Sequence, residues 1–71
     1  MRQLNLGIIG VGHLGTIHAR IAAQNEQINL VGTYDQNQQR NLEIAREYNT
    51  KAFTSLKELL QAVEAVSIVV P

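Results

Sequence analysis

Apolar positions fall into short runs separated by stretches with helical spacing. The first run, Leu4-Asn5-Leu6-Gly7-Ile8-Ile9, becomes β-branched towards its end and meets the glycines Gly10, Gly12 and Gly15, the pattern of a buried strand followed by a tight turn. From His13 onward Leu14, Ile17 and Ile21 recur at i, i+3 and i+7, with Ala22 and Ala23 beside them. That is the spacing of one helical face, and Asn25 or Glu26 is expected to end the helix. Ile28 to Tyr34 forms a second strand, interrupted by Gly32 and ending on Asp35.

The amide-rich stretch Gln36-Asn37-Gln38-Gln39-Arg40-Asn41 reads as a solvated turn leading into a helix, with Asn37 as its N-cap. Leu42, Ala45 and Tyr48 continue that helix at three-residue spacing, and Asn49 stands where a left-handed C-terminal residue is wanted. Lys51-Ala52-Phe53 is a very short strand. Ser55-Leu56-Lys57-Glu58 has the Ser-x-x-Glu form of a capping box, and Leu56, Leu59, Leu60 and Val63 supply the buried face of the helix it opens. Ala65 to Val70 is a last strand, apolar nearly throughout. Strands alternating with helices over such short connections predict parallel strands and right-handed crossovers. The near-continuous apolar runs of the first and last strands predict a sheet covered on both faces.

Length changes this picture by limiting it to one domain at most, since a 71-residue chain buries only about 60% of the surface its unfolded form exposes. No cysteine is present, which excludes disulfides, thiolate metal sites and thiol catalysis. Six Lys and Arg balance six Asp and Glu with no like-charged block, so neither a nucleic acid backbone nor an anionic membrane finds a basic surface. Hydrophobic residues make up 45% of the chain, but no apolar stretch approaches the roughly 18 residues of a membrane span. The N-terminus offers no continuous signal-peptide core, and a cytoplasmic location is the default expectation. The sequence stops at Pro71 directly after Ser67-Ile68-Val69-Val70, so the chain reads as the front of a longer protein.

Gly10-Val11-Gly12-His13-Leu14-Gly15 matches G-x-G-x-x-G, a pattern that is weak alone and gains meaning from its position. It follows an expected strand, opens an expected helix, and is answered by Asp35 twenty residues beyond Gly15, at the end of the next strand. Gly10 allows the sharp turn, Gly12 leaves room for a pyrophosphate, and Gly15 allows close helix–strand packing. The first-turn amides, including those of His13 and Leu14, then face the anion with the positive end of the helix behind them. Asp35 would accept from the adenosine ribose hydroxyls and repel the extra phosphate of NADP, so NAD is the expected cofactor and NADP the less favoured one. Arg40, five residues on, can reach towards the adenine or a 2′-phosphate, or stand as a solvated helix residue. No acidic residue or third histidine lies close enough to His13 or His18 to complete a metal set, and His18 is expected to be a hydrogen-bonded structural histidine.

These residues resemble the N-terminal domain of the Gfo/Idh/MocA oxidoreductases, the glucose-fructose oxidoreductase and inositol dehydrogenase group. The resemblance runs through Gly7 to Gly15 into Ile17-His18-Ala19-Arg20, then Val31-Gly32-Thr33-Tyr34-Asp35 with Arg40. It continues in Ala52-Phe53-Thr54-Ser55-Leu56-Lys57-Glu58-Leu59-Leu60 and closes with Ala65 to Pro71. It implies an α/β fold of Rossmann type, a truncated parallel sheet in the order 3-2-1-4 with helices on both faces. Residues 1–71 would be the N-terminal part of a dinucleotide-binding domain, the substrate domain being absent from this chain.

Members typically move a hydride between nicotinamide and a hydroxyl or carbonyl carbon of a sugar, cyclitol or related small molecule, and their second domain often forms an oligomer interface. By the family's pattern Gly10, Gly12, His13, Leu14 and Gly15 hold the pyrophosphate, Asp35 holds the ribose, and Val69, Val70 and Pro71 pass the nicotinamide half. The family often has Thr before that proline, where this chain has Val70. Its Glu-Lys-Pro segment and later histidine lie beyond Pro71, so no catalytic residue and no metal ligand is assigned within the chain. The partners implied are the cofactor, a small-molecule substrate and a second copy of the protein. The alternative is a non-catalytic NAD-binding sensor or regulatory module; a methyltransferase and a fragment too unstable to bind anything are more distant rivals.

Overall fold

The computed structural model describes residues 2–10 and 12–69, with His13 and Leu14 described by their backbone alone. Its elements run β1 (Leu4–Ile9), α1 (His13–Gln24), β2 (Ile28–Tyr34), α2 (Gln38–Glu47), β3 (Lys51–Ala52), α3 (Leu56–Ala62) and β4 (Ala65–Ile68). The four strands form one sheet in the order β3-β2-β1-β4, every pair parallel. That is the expected order. β4 is shorter than the sequence suggests, because Val69 is already past the strand and Val70 lies outside the described residues. The two-residue β3 is extended by one further bond, Phe53 N–H to the Thr33 carbonyl at 2.8 Å.

Alternation along β1 sends its residues to two differently covered faces. Ile8 is fully buried and clusters with Ala19 and Ala22 of α1 and Ile44 of α2. On the other face, a Cβ built on Gly7 would lie 2.8 Å from a methyl of Leu59, so α3 sits directly on the strand there. α1 and α2 therefore cover one side and α3 the other, as right-handed crossovers running in opposite directions require. β2 keeps the same alternation only up to a bulge, where pairing moves from Leu6↔Leu30 to Gly7↔Gly32 and skips Val31.

Three helical faces differ from the sequence pattern. In α1 the small residues Gly15, Ala19 and Ala22 turn inward, while Ile21 is 56% exposed. In α2 the inner face is Asn41, Ile44 and Ala45 with Tyr48 behind them, and Leu42 points outward. In α3 only Leu59 is buried; Leu56 and Leu60 are exposed. The caps follow the sequence closely. Asn37 accepts from the Arg40 N–H and Ser55 from the Glu58 N–H, while Asn49 takes the left-handed conformation at φ 54°.

Asn41 departs furthest from expectation, being 2% exposed rather than part of a solvated turn. The Thr33 hydroxyl, itself fully buried, donates to its Oδ1 at 2.6 Å, and its Nδ2 donates to the Phe53 carbonyl at 3.1 Å. One amide thus ties α2, β2 and the end of β3 together. Asn41→Ala leaves a buried hydroxyl and a buried carbonyl without partners, and the cost is expected to be about 2–4 kcal/mol. Asn37→Ala removes only a cap and is expected to cost about 1 kcal/mol. Urea unfolding of the two variants checks this order, and equal midpoints would contradict it.

At the opposite end of the sheet Glu64 accepts from the Asn5 N–H at 2.8 Å and from Arg2. Those two contacts, the backbone one first, hold its carboxyl below the ordinary value of 4.5. A lowered pKa stabilises the fold above the unfolded-state value and is lost as pH falls through the folded one. Urea midpoints are expected to drop on acidification below 4.5, with a smaller drop in Glu64→Gln.

Candidate functional site

The carboxyl ends of β1, β2 and β4 converge. Gly10 N–H donates to the Tyr34 carbonyl at 2.8 Å, and Val69 N–H donates to the Ile9 carbonyl at 2.9 Å, so the exits of all three strands are pinned side by side. β1 lies at the point where the chain reverses its direction across the sheet, with β2 to one side and β4 to the other. A crevice beyond the strand ends at such a reversal is where open parallel sheets bind ligands.

Two of the three glycines are required by the fold itself. Gly10 has φ 91°, and a Cβ there would lie 2.0 Å from the Val69 carbonyl oxygen. A Cβ on Gly15 would lie 1.9 Å from the Gly10 carbonyl oxygen, so the start of α1 sits directly against the end of β1. Gly12 is different. Its φ of −67° suits any residue, and a Cβ there would meet nothing within 4 Å.

Gly12 is the N-cap of α1 and brings no side-chain acceptor, and the first turn holds no acidic residue. The amides of His13, Leu14 and Gly15 have no intrahelical partner by the geometry of a helix start. They converge with the positive helix end on the open space beside Gly12, which suits an anionic group that must approach the backbone closely. The first helical bond, Thr16 N–H to the Gly12 carbonyl at 2.9 Å, fixes the turn, and the Thr16 hydroxyl donates to the same oxygen at 3.0 Å.

Asp35 stands half-buried just past β2, on the same edge. Its Oδ1 accepts from the Asn37 N–H at 2.7 Å, which orients the carboxylate and links it to the cap of α2. Arg40 leaves the first turn of α2 and runs across to α1, where its Nη2 donates to the Thr16 hydroxyl at 3.0 Å. Its Nη1 lies 3.6 Å from Glu43. The structure thus brings Gly10, Gly12, Gly15, Asp35, Arg40 and Val69, with the backbone of His13 and Leu14, to one edge of the sheet. Val70 and Pro71 lie outside the described residues. The sequence reading missed Thr16, and its place one turn after Gly12 on the same helical face is the signal that marks it.

His18 lies apart from this edge residue set, with Nδ1 3.0 Å from the Ser67 Oγ, the hydrogen-bonded role expected of it. No group of three or more metal-ligating side chains occurs among the described residues. No helix among the described residues is long and apolar enough to cross a membrane.

Residues 4–71 match the family described as the Gfo/Idh/MocA oxidoreductase family, NAD-binding Rossmann fold, and the chain belongs to that family. It is 46% identical over 71 residues to a UDP-N-acetylglucosamine 3-dehydrogenase of Acidithiobacillus ferrooxidans, covering 22% of that protein. The crystal structure of that relative superposes on the whole chain with a TM-score of 0.90. A glucose-6-phosphate 3-dehydrogenase of Bacillus subtilis is 33% identical over 66 residues, 93% of this chain and 19% of that protein. GenD2 from gentamicin A biosynthesis, solved in complex with NAD, shares the fold at a TM-score of 0.91 and 22% identity, covering all of this chain and 21% of its own. The chain thus spans about a fifth of the length of the curated relatives it matches.

The contrast between Gly12 and Gly15 separates ligand demand from fold demand. Gly12→Ala is expected to cost only about 1 kcal/mol of stability, at the helix cap. If the open space beside Gly12 takes the cofactor's pyrophosphate, the added methyl group fills it and NADH binding is expected to weaken by at least about tenfold. Gly15→Ala is expected to lose both, since its methyl meets a backbone carbonyl. Thermal unfolding alongside NADH fluorescence titration distinguishes the two, and unweakened binding by Gly12→Ala would refute the assignment.

Proposed function

We propose that this chain is the cofactor-capturing part of an NAD-dependent dehydrogenase whose substrate is a hexose derivative, oxidised at a secondary hydroxyl. The observation that carries this reading is the space at Gly12, unneeded by the fold and faced by the uncapped amides of α1. In it the backbone of Gly10, Gly12, His13, Leu14 and Gly15 binds the pyrophosphate, with no lysine required. Asp35 takes the adenosine ribose hydroxyls, and its negative charge disfavours a 2′-phosphate, so NAD is preferred over NADP. Val69, Val70 and Pro71 pass the nicotinamide half.

The substrate class is supported by the two curated relatives, both 3-dehydrogenases of hexose derivatives, one a sugar nucleotide and the other a sugar phosphate. When bound, the nicotinamide takes up the hydride from the hydroxyl-bearing carbon, and the hydroxyl proton must pass to a base. None of the residues assigned here supplies that base. It belongs, with the substrate site, to a second domain carried by the rest of the protein. That domain also supplies a homo-oligomer interface, and the cytoplasm is the proposed location. Neither nucleic acid nor membrane is a partner in this reading, which accords with a net charge of zero and no basic block.

Asp35→Ala is expected to weaken NADH binding by about tenfold, the loss of one or two charge-assisted hydrogen bonds. It is also expected to narrow the preference over NADPH. Calorimetric titration of the complete protein with both nucleotides checks this, and an unchanged preference would place the carboxylate outside the ribose site.

A further inference from the structure

Arg40 is the sole basic residue in the segment from Asp35 to Arg40, and its backbone is bound to that carboxylate through two successive caps. Asp35 Oδ1 accepts from Asn37 N–H, and Asn37 Oδ1 accepts from Arg40 N–H at 3.1 Å. The side chain therefore starts within one helical turn of the residue that governs the ribose. A guanidinium rooted there is well placed to meet a phosphate on the ribose 2′ oxygen, the group that distinguishes NADP from NAD.

In this structure the guanidinium reaches across to α1. Nη2 donates to the Thr16 hydroxyl at 3.0 Å, on α1, and Nη1 faces Glu43 at 3.6 Å. The Thr16 hydroxyl has only one proton, and it is committed to the Gly12 carbonyl at 3.0 Å. That leaves the oxygen fixed as an acceptor aimed at the guanidinium. The hydroxyl is thereby a stationary anchor, set by the same turn that holds the pyrophosphate amides in place.

We propose that Thr16 is a positioning residue for cofactor choice: its hydroxyl holds the Arg40 guanidinium against α1 and so withholds it from a 2′-phosphate. This rests on the NAD-binding reading above. Two residues then act on one ligand position. Asp35 excludes the 2′-phosphate by charge, and Thr16 removes the cation that would compensate for it.

The test is a set of affinities for NADH and NADPH, measured by fluorescence titration on the complete protein and its variants. Thr16→Val keeps the shape and removes the acceptor; the ratio of NADPH affinity to NADH affinity is expected to rise roughly tenfold, the low end of what releasing one hydrogen bond to a charged group gives, whatever the variant does to both affinities together. Thr16→Ser keeps the acceptor and is expected to retain the wild-type ratio. The gain is expected to vanish in Thr16→Val/Arg40→Gln, a coupling that a merely structural role for Thr16 would not produce. Thr16→Ala, which brings in the strongest helix former, repeats the measurement should the valine variant not fold. An unchanged NADPH-to-NADH ratio on removal of the hydroxyl, or a gain that survives without Arg40, overturns the proposal while leaving the NAD site standing. Failure of the wild type to bind either nucleotide overturns the site itself and the proposal with it.

Discussion

The structure depends on one close approach, the start of α1 resting on the end of β1. A Cβ on Gly15 would stand 1.9 Å from the Gly10 carbonyl oxygen, and Gly10 itself needs φ 91°. With no side chain between them, the helix lies low on the sheet. Ala19 and Ala22 fit beneath it, and both are buried against Ile8. The same contact aims the uncapped amides of the first turn out over the strand ends. A helix lifted by one methyl group would lose that direction as well as its packing, so stability and ligand geometry share a cause here.

The two faces of the sheet are closed by different means. On the α1 and α2 side an apolar cluster is joined to a buried polar link, Thr33 to Asn41 to the Phe53 carbonyl. The link is placed where the sheet is weakest, because β3 has two residues and little ladder of its own. A satisfied amide there specifies a position for α2 that apolar contact alone leaves to slide. On the other side α3 contributes one buried side chain, Leu59, pressed on Gly7, while Leu56, Leu60 and Ile68 remain exposed. Ile68 is 64% exposed on β4, an edge strand of this sheet. Exposed apolar residues at a strand edge invite pairing with further chain.

Much of this was legible before any coordinates. Parallel pairing followed from short connections and crossover handedness, the strand order from the family resemblance, and the caps Asn37, Ser55 and Asn49 from local chemistry that needs no tertiary partner. The orientation of the helices was less legible. Periodicity weights large apolar residues, so it placed Ile21 and Leu42 inside, whereas close packing reserved the interior for glycine and alanine in α1 and for an amide in α2. Asn41 looks identical in sequence to its solvated neighbours, and only the arrival of Thr33 and Phe53 beside it explains its burial. The convergence of the glycine motif and Asp35 on one edge of the sheet was readable because backbone placement alone brings them together. The direction taken by Arg40 was not, since a long side chain is directed by whichever acceptor the fold brings within reach.

That acceptor ties the site's electrostatics to its mechanics. The Gly12 carbonyl receives both the N–H and the hydroxyl of Thr16, at 2.9 and 3.0 Å, so the turn below the anion space is doubly fastened. The hydroxyl in turn receives Arg40 from α2, and α2 is fastened through Asn37 to Asp35. A continuous set of contacts therefore runs from the Gly12 turn to the Asp35 carboxylate without passing through the sheet. In the proposed NAD site neutral amides and a helix end meet the diphosphate, which leaves the positive side chain of Arg40 to the contact with α1. The net charge of zero is consistent with the proposed division, in which local dipoles rather than a basic surface attract the cofactor.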